Sequence, residues 1–418
     1  MTNYFELAVK HISEAVKFDS SQGLPESGAP FGKGAADCLE YFLNLASSFG
    51  FETKNYDGYA GEVIFGEGEE FAVLAHLDVV PAGSGWTHEP FGGEVDYGNA
   101  KIWGRGTMDD KGPAVCALLA MKVIKDKGLL PKKKIKLIVG CNEESGWACI
   151  DYYKAHAHMP DTGFSPDADF PVIYAEKGIL HLKLAFPSNS AFTGLRGGER
   201  GNMVCDLCEV RTAADEAKLK KYNLVYENGK VISRGKSAHG STPELGINAI
   251  APVLKYLGLT DMHAKLFEDG FGICGLEDET GRLTFSPNVI EQTEQGIFVT
   301  CDVRYPATMD RSDVLGAVEK AKIKYEIIHE QAPLFNDKNC ELIKTLCGVY
   351  NDVTGKHMQP VAIGGGTYAR ALKCGAAFGP EEDGEEQTIH KPDEYITFDK
   401  IRLCLEIYRL ALERLTCG

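Results

Sequence analysis

The chain has 418 residues, 44% hydrophobic and 25% charged, the composition of a globular protein too long for one ordinary core. Its formal net charge of −16 excludes nucleic acid as a partner, because a phosphate backbone demands a basic surface. No run approaches the ~18–20 apolar residues of a membrane span, so no membrane partner is expected.

The N-terminal stretch TNYFELAVKHISEAVKF carries charges throughout and places Phe5, Ala8, Val9, Ile12 and Val16 on one face. That pattern predicts an amphipathic helix and not a signal peptide. A Gly/Pro/Ser loop follows over 20–34, a helix over 35–49, and strands over 51–56, 62–65 and 71–76. A mostly apolar helix is predicted over 111–127. The run Lys132-Lys133-Lys134-Ile135-Lys136 reads as a solvated loop ahead of an interior parallel strand over 137–141. A helix over 147–157 and a strand over 171–175 complete a strand–helix alternation. This indicates an α/β domain whose central sheet is mostly parallel and flanked by helices.

Near Lys177 the texture changes. Residues 179–186 alternate apolar and polar, as a one-sided antiparallel strand does. More strands follow, with helices over 246–257 and 311–320. The expected organisation is an α/β domain formed by 1–177 and 335–418, interrupted by an inserted α+β domain at 178–334. The insert looks weakly duplicated: Asn202-Met203-Val204 precedes a strand ending in Arg211, and Asn288-Val289-Ile290 precedes one ending in Arg304. Beyond it lie helices over 340–353, 369–373 and 399–415. The 13 cysteines are odd in number and scattered in spacing, so no disulfide framework is expected. Cys205-x-x-Cys208 has no second pair. Free thiols suit a reducing cytosol, and a cytoplasmic location is expected.

The chemistry is concentrated at strand ends and turns. His76, Asp109, Glu144, Asp167 and His390 offer two imidazoles and three carboxylates, a set that suits a pair of borderline divalent ions with one carboxylate bridging. Zn²⁺ is the expected ion, with Mn²⁺ or Co²⁺ as alternatives; Ca²⁺ prefers all-oxygen sites. Asp169 competes with Asp167 for the same duty. Asp78, two residues after His76, is placed to orient its imidazole. Adjacent Glu143 and Glu144 diverge on a regular strand, which favours one ligand and one base. His88, His156 and His158 read as surface residues.

Six motifs then fall in one order: His76-x-Asp78, Gly104-Arg105-Gly106-x-x-Asp109-Asp110-Lys111-Gly112, Glu143-Glu144, Ser165-Pro166-Asp167, Gly235-Lys236-Ser237-Ala238-His239-Gly240 and Gly364-Gly365-Gly366-Thr367. Together they resemble the M20 family of co-catalytic metallopeptidases, and within it the PepV-type dipeptidases of Xaa-His or broad specificity. The resemblance implies that Asp109 bridges two metals and that the Asp109–Asp110 peptide is cis. It implies that His76 and Asp167 complete one ion's site, and Glu144 and His390 the other's. Glu143 would be the general base toward a metal-bridging water, with Asp78 orienting His76. His239 would stabilise the oxyanion, while Asn202, Arg304 and the amides of Gly365, Gly366 and Thr367 would hold the substrate. Asn288 and Arg211 occupy similar positions in the repeat and compete with Asn202 and Arg304.

The function implied is hydrolysis of unblocked dipeptides. Removal of an acyl group from an N-acyl amino acid is the alternative within the family. A metal-binding regulatory protein without catalysis is the alternative outside it. The resemblance implies that 1–177 and 335–418 form the catalytic domain and that 178–334 is its inserted lid domain; a doubled lid would supply His239 within one chain, so a monomer is expected, with a dimer as the alternative.

Overall fold

The computed structural model describes residues 2–418 and divides into two compact units. Unit 1 comprises residues 1–174, 336–361 and 367–418, and unit 2 comprises residues 175–335 and 362–366. The sequence boundaries of 177/178 and 334/335 stand beside observed ones of 174/175 and 335/336. The short segment 362–366, which carries the Gly364–Gly366 run, groups with unit 2.

Unit 1 is built on a sheet whose centre is parallel. Lys134–Gly140, Glu70–His76, Thr162–Ser165 and Cys374–Ala377 run side by side in one direction. Its outer strands, Glu52–Tyr56 and Ala60–Phe65, are antiparallel. The strand Glu70–His76 is buried from Phe71 to His76, as a strand covered on both faces must be. The helix Lys111–Asp126 is buried continuously from Lys111 to Met121. Each of its Val115, Leu118 and Leu119 contributes about 1.5–3 kcal/mol by leaving water. Phe5, Ala8, Val9, Ile12 and Val16 of the helix Thr2–Val16 are all buried, the face that its periodicity predicts. Among the described residues no helix is long and apolar enough to cross a membrane.

Two local expectations are corrected. Lys136 is not in a solvated loop: it lies on Lys134–Gly140, is 6% exposed, and pairs with Glu62 at 3.2 Å and Glu70 at 3.0 Å. The helix expected over 369–373 is a single 3-10 turn, Tyr368–Ala371. Too few residues separate Thr367 from the strand at Cys374 to nucleate an α-helix.

Unit 2 is an eight-stranded antiparallel sheet. Along Gly178–Phe186, Leu180, Leu182, Leu184 and Phe186 face one core together with Val253 and Leu254 of the helix Ile250–Leu257 and Val314 and Val318 of Arg311–Lys320. The sheet has two four-stranded halves that meet where Thr193–Gly197 pairs with Thr284–Thr293. Each half repeats a hairpin followed by a helix. In one, Thr193–Gly197 and Leu207–Arg211 lead to Glu216–Tyr222. In the other, Thr284–Thr293 and Gly296–Tyr305 lead to Arg311–Lys320.

Candidate metal centre and active site

Three parallel strands of unit 1 end side by side, and the chemistry follows directly from their ends. His76 closes Glu70–His76 and pairs in register with Gly140, so Glu143 and Glu144 leave the neighbouring strand beside it. Asp167 follows the third strand, Thr162–Ser165. This is the carboxyl edge at which open α/β sheets bind ligands. The remaining two donors arrive through a small antiparallel sheet. Tyr395–Thr397 pairs with Lys101–Trp103, which brings the segment after His390 against the loop leading to Asp109.

The five expected ligands converge. His76 Nε2 lies 2.9 Å from Asp109 Oδ1 and 3.7 Å from Asp167 Oδ2. His390 Nε2 lies 2.9 Å from both Asp109 Oδ2 and Glu144 Oε1. Asp109 thus turns one oxygen to each imidazole. The donor atoms of His76, Asp109 and Glu144 form one close group, and those of His76, Glu143 and Asp167 another. His76 is wholly buried, whereas the His390 side chain is 49% exposed at the rim. The Asp109–Asp110 peptide is cis. Asp110, with no exposure, accepts from the His76 N–H at 3.1 Å.

Asp78 does something the motif alone does not suggest. The His76 Nδ1 meets the Asp78 main-chain oxygen at 2.9 Å, while the carboxylate stands at 3.5 Å. That carboxylate accepts from the N–H groups of Glu143 at 2.9 Å and Glu144 at 3.1 Å. Asp78 therefore fixes the Glu143–Glu144 backbone with its side chain and the imidazole with its main chain.

The electrostatics describe a cluster in need of positive charge. Burial, then the Asp109 charge, pushes the Asp167 carboxyl up to about 7 and raises Glu144 as well. Burial also raises Glu143 well above the carboxylate range, with Asp167 and Glu144 adding to it. Burial opposes charge on His390, but contacts with Asp109 and Glu144 prevail and bring its pKa to about 11. His76 is raised in the same way by Asp109 and Asp78 against burial. Such a set fits divalent cations, which replace the imidazole protons and relieve the crowded carboxylates. The mixed N/O donors suit borderline ions.

Two supporting residues escaped the sequence reading. Trp147 Nε1 donates to Glu143 Oε1 at 3.1 Å and holds that carboxylate. Glu394, wholly buried, accepts through Oε1 from the N–H groups of Gly106 and Met108 at 3.0 Å each, and through Oε2 from Arg105 Nη1 at 2.6 Å. It clamps the loop that delivers Asp109. Its position four residues after His390 is the only sequence signal. Glu394→Ala strands Arg105 and these amides, and is expected to cost about 3–5 kcal/mol of stability, measured by urea unfolding. A loss below about 1 kcal/mol would show that the clamp is dispensable.

In unit 2 the remaining candidates also meet one another. Gly240 N donates to Asn202 O at 2.7 Å, and Met203 bridges His239. His239 Nδ1 accepts from the Ser241 N–H at 3.2 Å, so the neutral ring carries its hydrogen on Nε2. Arg304 Nη1 donates to Gly364 O at 3.0 Å, and a Cβ at Gly364 would lie 2.9 Å from Ser241 Cβ. The competing repeat positions are placed differently. Asn288 is wholly buried and uses its amide on Gly201 O and the Ser286 hydroxyl. Arg211 is exposed at a strand end. Thr367 belongs to unit 1, where its Oγ1 accepts from Ala369 N at 3.2 Å. With only a 3-10 turn following, the amides of Gly365–Thr367 have no helix macrodipole behind them.

Residues 72–414, a span that contains all five expected ligands, match the peptidase family M20/M25/M40. The chain belongs to peptidase family M20 and is a peptide-bond hydrolase. It is 36% identical over 429 aligned residues to the putative dipeptidase YtjP of Bacillus subtilis (strain 168), covering 93% of this chain and 92% of that one. It is 32% identical over 463 residues to the Beta-Ala-Xaa dipeptidase of Lactobacillus delbrueckii subsp. lactis, covering 99% and 98%. Among solved structures, the dipeptidase Dug1p from Saccharomyces cerevisiae shares the fold. Its TM-score is 0.63 at 14% identity, over 99% of this chain and 98% of that one.

Proposed function

We propose that the protein is a dinuclear metal-dependent dipeptidase that hydrolyses unblocked dipeptides. The observation that carries this reading is Asp109, whose two carboxylate oxygens face His76 and His390 at 2.9 Å each, the disposition of a bridging ligand. His76 and Asp167 complete one ion's donors, and Glu144 and His390 the other's. Zn²⁺ is the proposed ion, with Mn²⁺ or Co²⁺ as substitutes. When bound, the ions supply Lewis acidity toward the scissile carbonyl and acidify the attacking water.

Glu143 takes the water's proton and passes it to the leaving amine as the C–N bond breaks. His239 donates from Nε2 to the oxygen that gains charge, and Asn202 and Arg304 hold the substrate, the Arg304 guanidinium donating to the substrate's carboxylate. The main-chain N–H groups of Gly365, Gly366 and Thr367 contribute to that grip. The names of the relatives support a dipeptide as substrate. The two-half sheet of unit 2 supports a monomer that carries its own His239, and the buried free thiols support a cytoplasmic location.

A panel of unblocked dipeptides, a β-alanyl dipeptide, a tripeptide, and N-acetyl and N-succinyl amino acids tests the substrate class. The expected outcome is cleavage of dipeptides and none of the acyl amino acids. Cleavage of acyl amino acids alone would contradict it and assign the amidohydrolase reading.

A further inference from the structure

We infer that Asp302 is a positioning residue that fixes the Arg304 guanidinium and the turn carrying His239 in one geometry. The inference deepens the dipeptidase reading and rests on it for the substrate role of Arg304.

Asp302 and Arg304 are two apart on the strand Gly296–Tyr305 and so share a face. Asp302 has no exposure and Arg304 only 4%. Asp302 Oδ1 accepts from Arg304 Nε at 2.7 Å, and Oδ2 from Nη2 at 2.9 Å, a bidentate grip on one edge of the fork. Arg304 Nη1 donates to Gly364 O at 3.0 Å. Those bonds fix the guanidinium plane and leave one further N–H on each Nη, the outer edge that suits a carboxylate.

The same carboxylate backs the His239 turn. A Cβ on Gly240 would lie 2.2 Å from Asp302 Oδ2, so residue 240 must lack a side chain for the turn to rest there. Gly240 is in turn bonded to Asn202 O, and Ser241 abuts Gly364. Asp302, Arg304, Gly364, Ser241 and Gly240 form a closed circuit around one buried ion pair. His181 Nε2 stands 3.7 Å from Asp302 Oδ2 and adds no second grip on Arg304. Burial opposes ionisation of Asp302, but contacts with His181 and Arg304 prevail and hold it below the usual range.

The test is a double-mutant cycle on the metal-loaded enzyme with an unblocked dipeptide. Asp302→Asn keeps the shape but loses the charge, and is expected to raise KM about tenfold or more. In an Arg304→Gln background the same replacement is expected to change KM less than about twofold, because its effect on KM runs through Arg304, while its effect on the His239 turn falls on kcat. Additive effects would overturn the inference. A second readout needs no variant: the Arg304 Nε–H resonance of ¹⁵N-labelled wild-type protein is expected to exchange slowly with solvent, and fast exchange would overturn the inference. Wild-type protein that cleaves no dipeptide overturns the dipeptidase reading instead, and the exchange measurement then still decides whether Asp302 holds Arg304.

Discussion

Glu143→Gln is expected to lower kcat on a dipeptide by about 10²–10⁴-fold, the usual contribution of a general base, with metal content unchanged. The replacement is isosteric. Its amide oxygen still accepts from Trp147 Nε1, and Asp78 still holds the backbone of residues 143 and 144. Only the proton-accepting carboxylate is lost. Glu143 also falls in one donor group with His76 and Asp167. Metal analysis of the variant therefore discriminates two roles. Full ion content with a dead enzyme identifies a base, whereas loss of an ion would make Glu143 a ligand. A near-normal rate would remove it from the chemistry.

Asp109→Asn is expected to reduce activity to background and to weaken metal binding by more than the ~10–100-fold that follows loss of a mere supporting partner. Asp109 presents Oδ1 toward His76 and Oδ2 toward His390. Asparagine can offer an oxygen to one side only and turns N–H groups to the other, where a cation requires a lone pair. Equilibrium dialysis against Zn²⁺, with metal counted per chain, measures the effect. Retention of two ions by the variant would contradict the bridging role.

How much of this was legible depends on how local each signal is. Glu143 and Glu144 are readable because they follow a buried apolar strand, and His76 because it closes one with Asp78 two residues on, whereas Asp167 is readable through the Ser165-Pro166-Asp167 motif, since the short strand Thr162–Ser165 before it has no clear sequence pattern. Asp109 and His390 are readable chiefly through the family motifs. The small sheet that joins their segments pairs residues nearly 300 positions apart, and no local pattern announces it. The same distance hides the Glu394 clamp on the Asp109 loop. Lys136 was misread because a lysine run looks solvated until strand pairing sets Glu62 and Glu70 beside one member of it. The 369–373 stretch contains good helix formers, but the strand starting at Cys374 leaves room for a turn only. Asp302 was visible as a residue two before Arg304 but not as a charge, since only the fold reveals that both are buried and face Gly240 and Gly364.

In the proposed function two ions, joined by Asp109, create the activity. The most direct measurement titrates metal-free protein with Zn²⁺ while following dipeptide hydrolysis against ions bound per chain. Hydrolysis is expected to depend on added ion and to reach its plateau only as the second ion fills. Hydrolysis by protein shown to be metal-free, or a plateau complete at one bound ion, would contradict it.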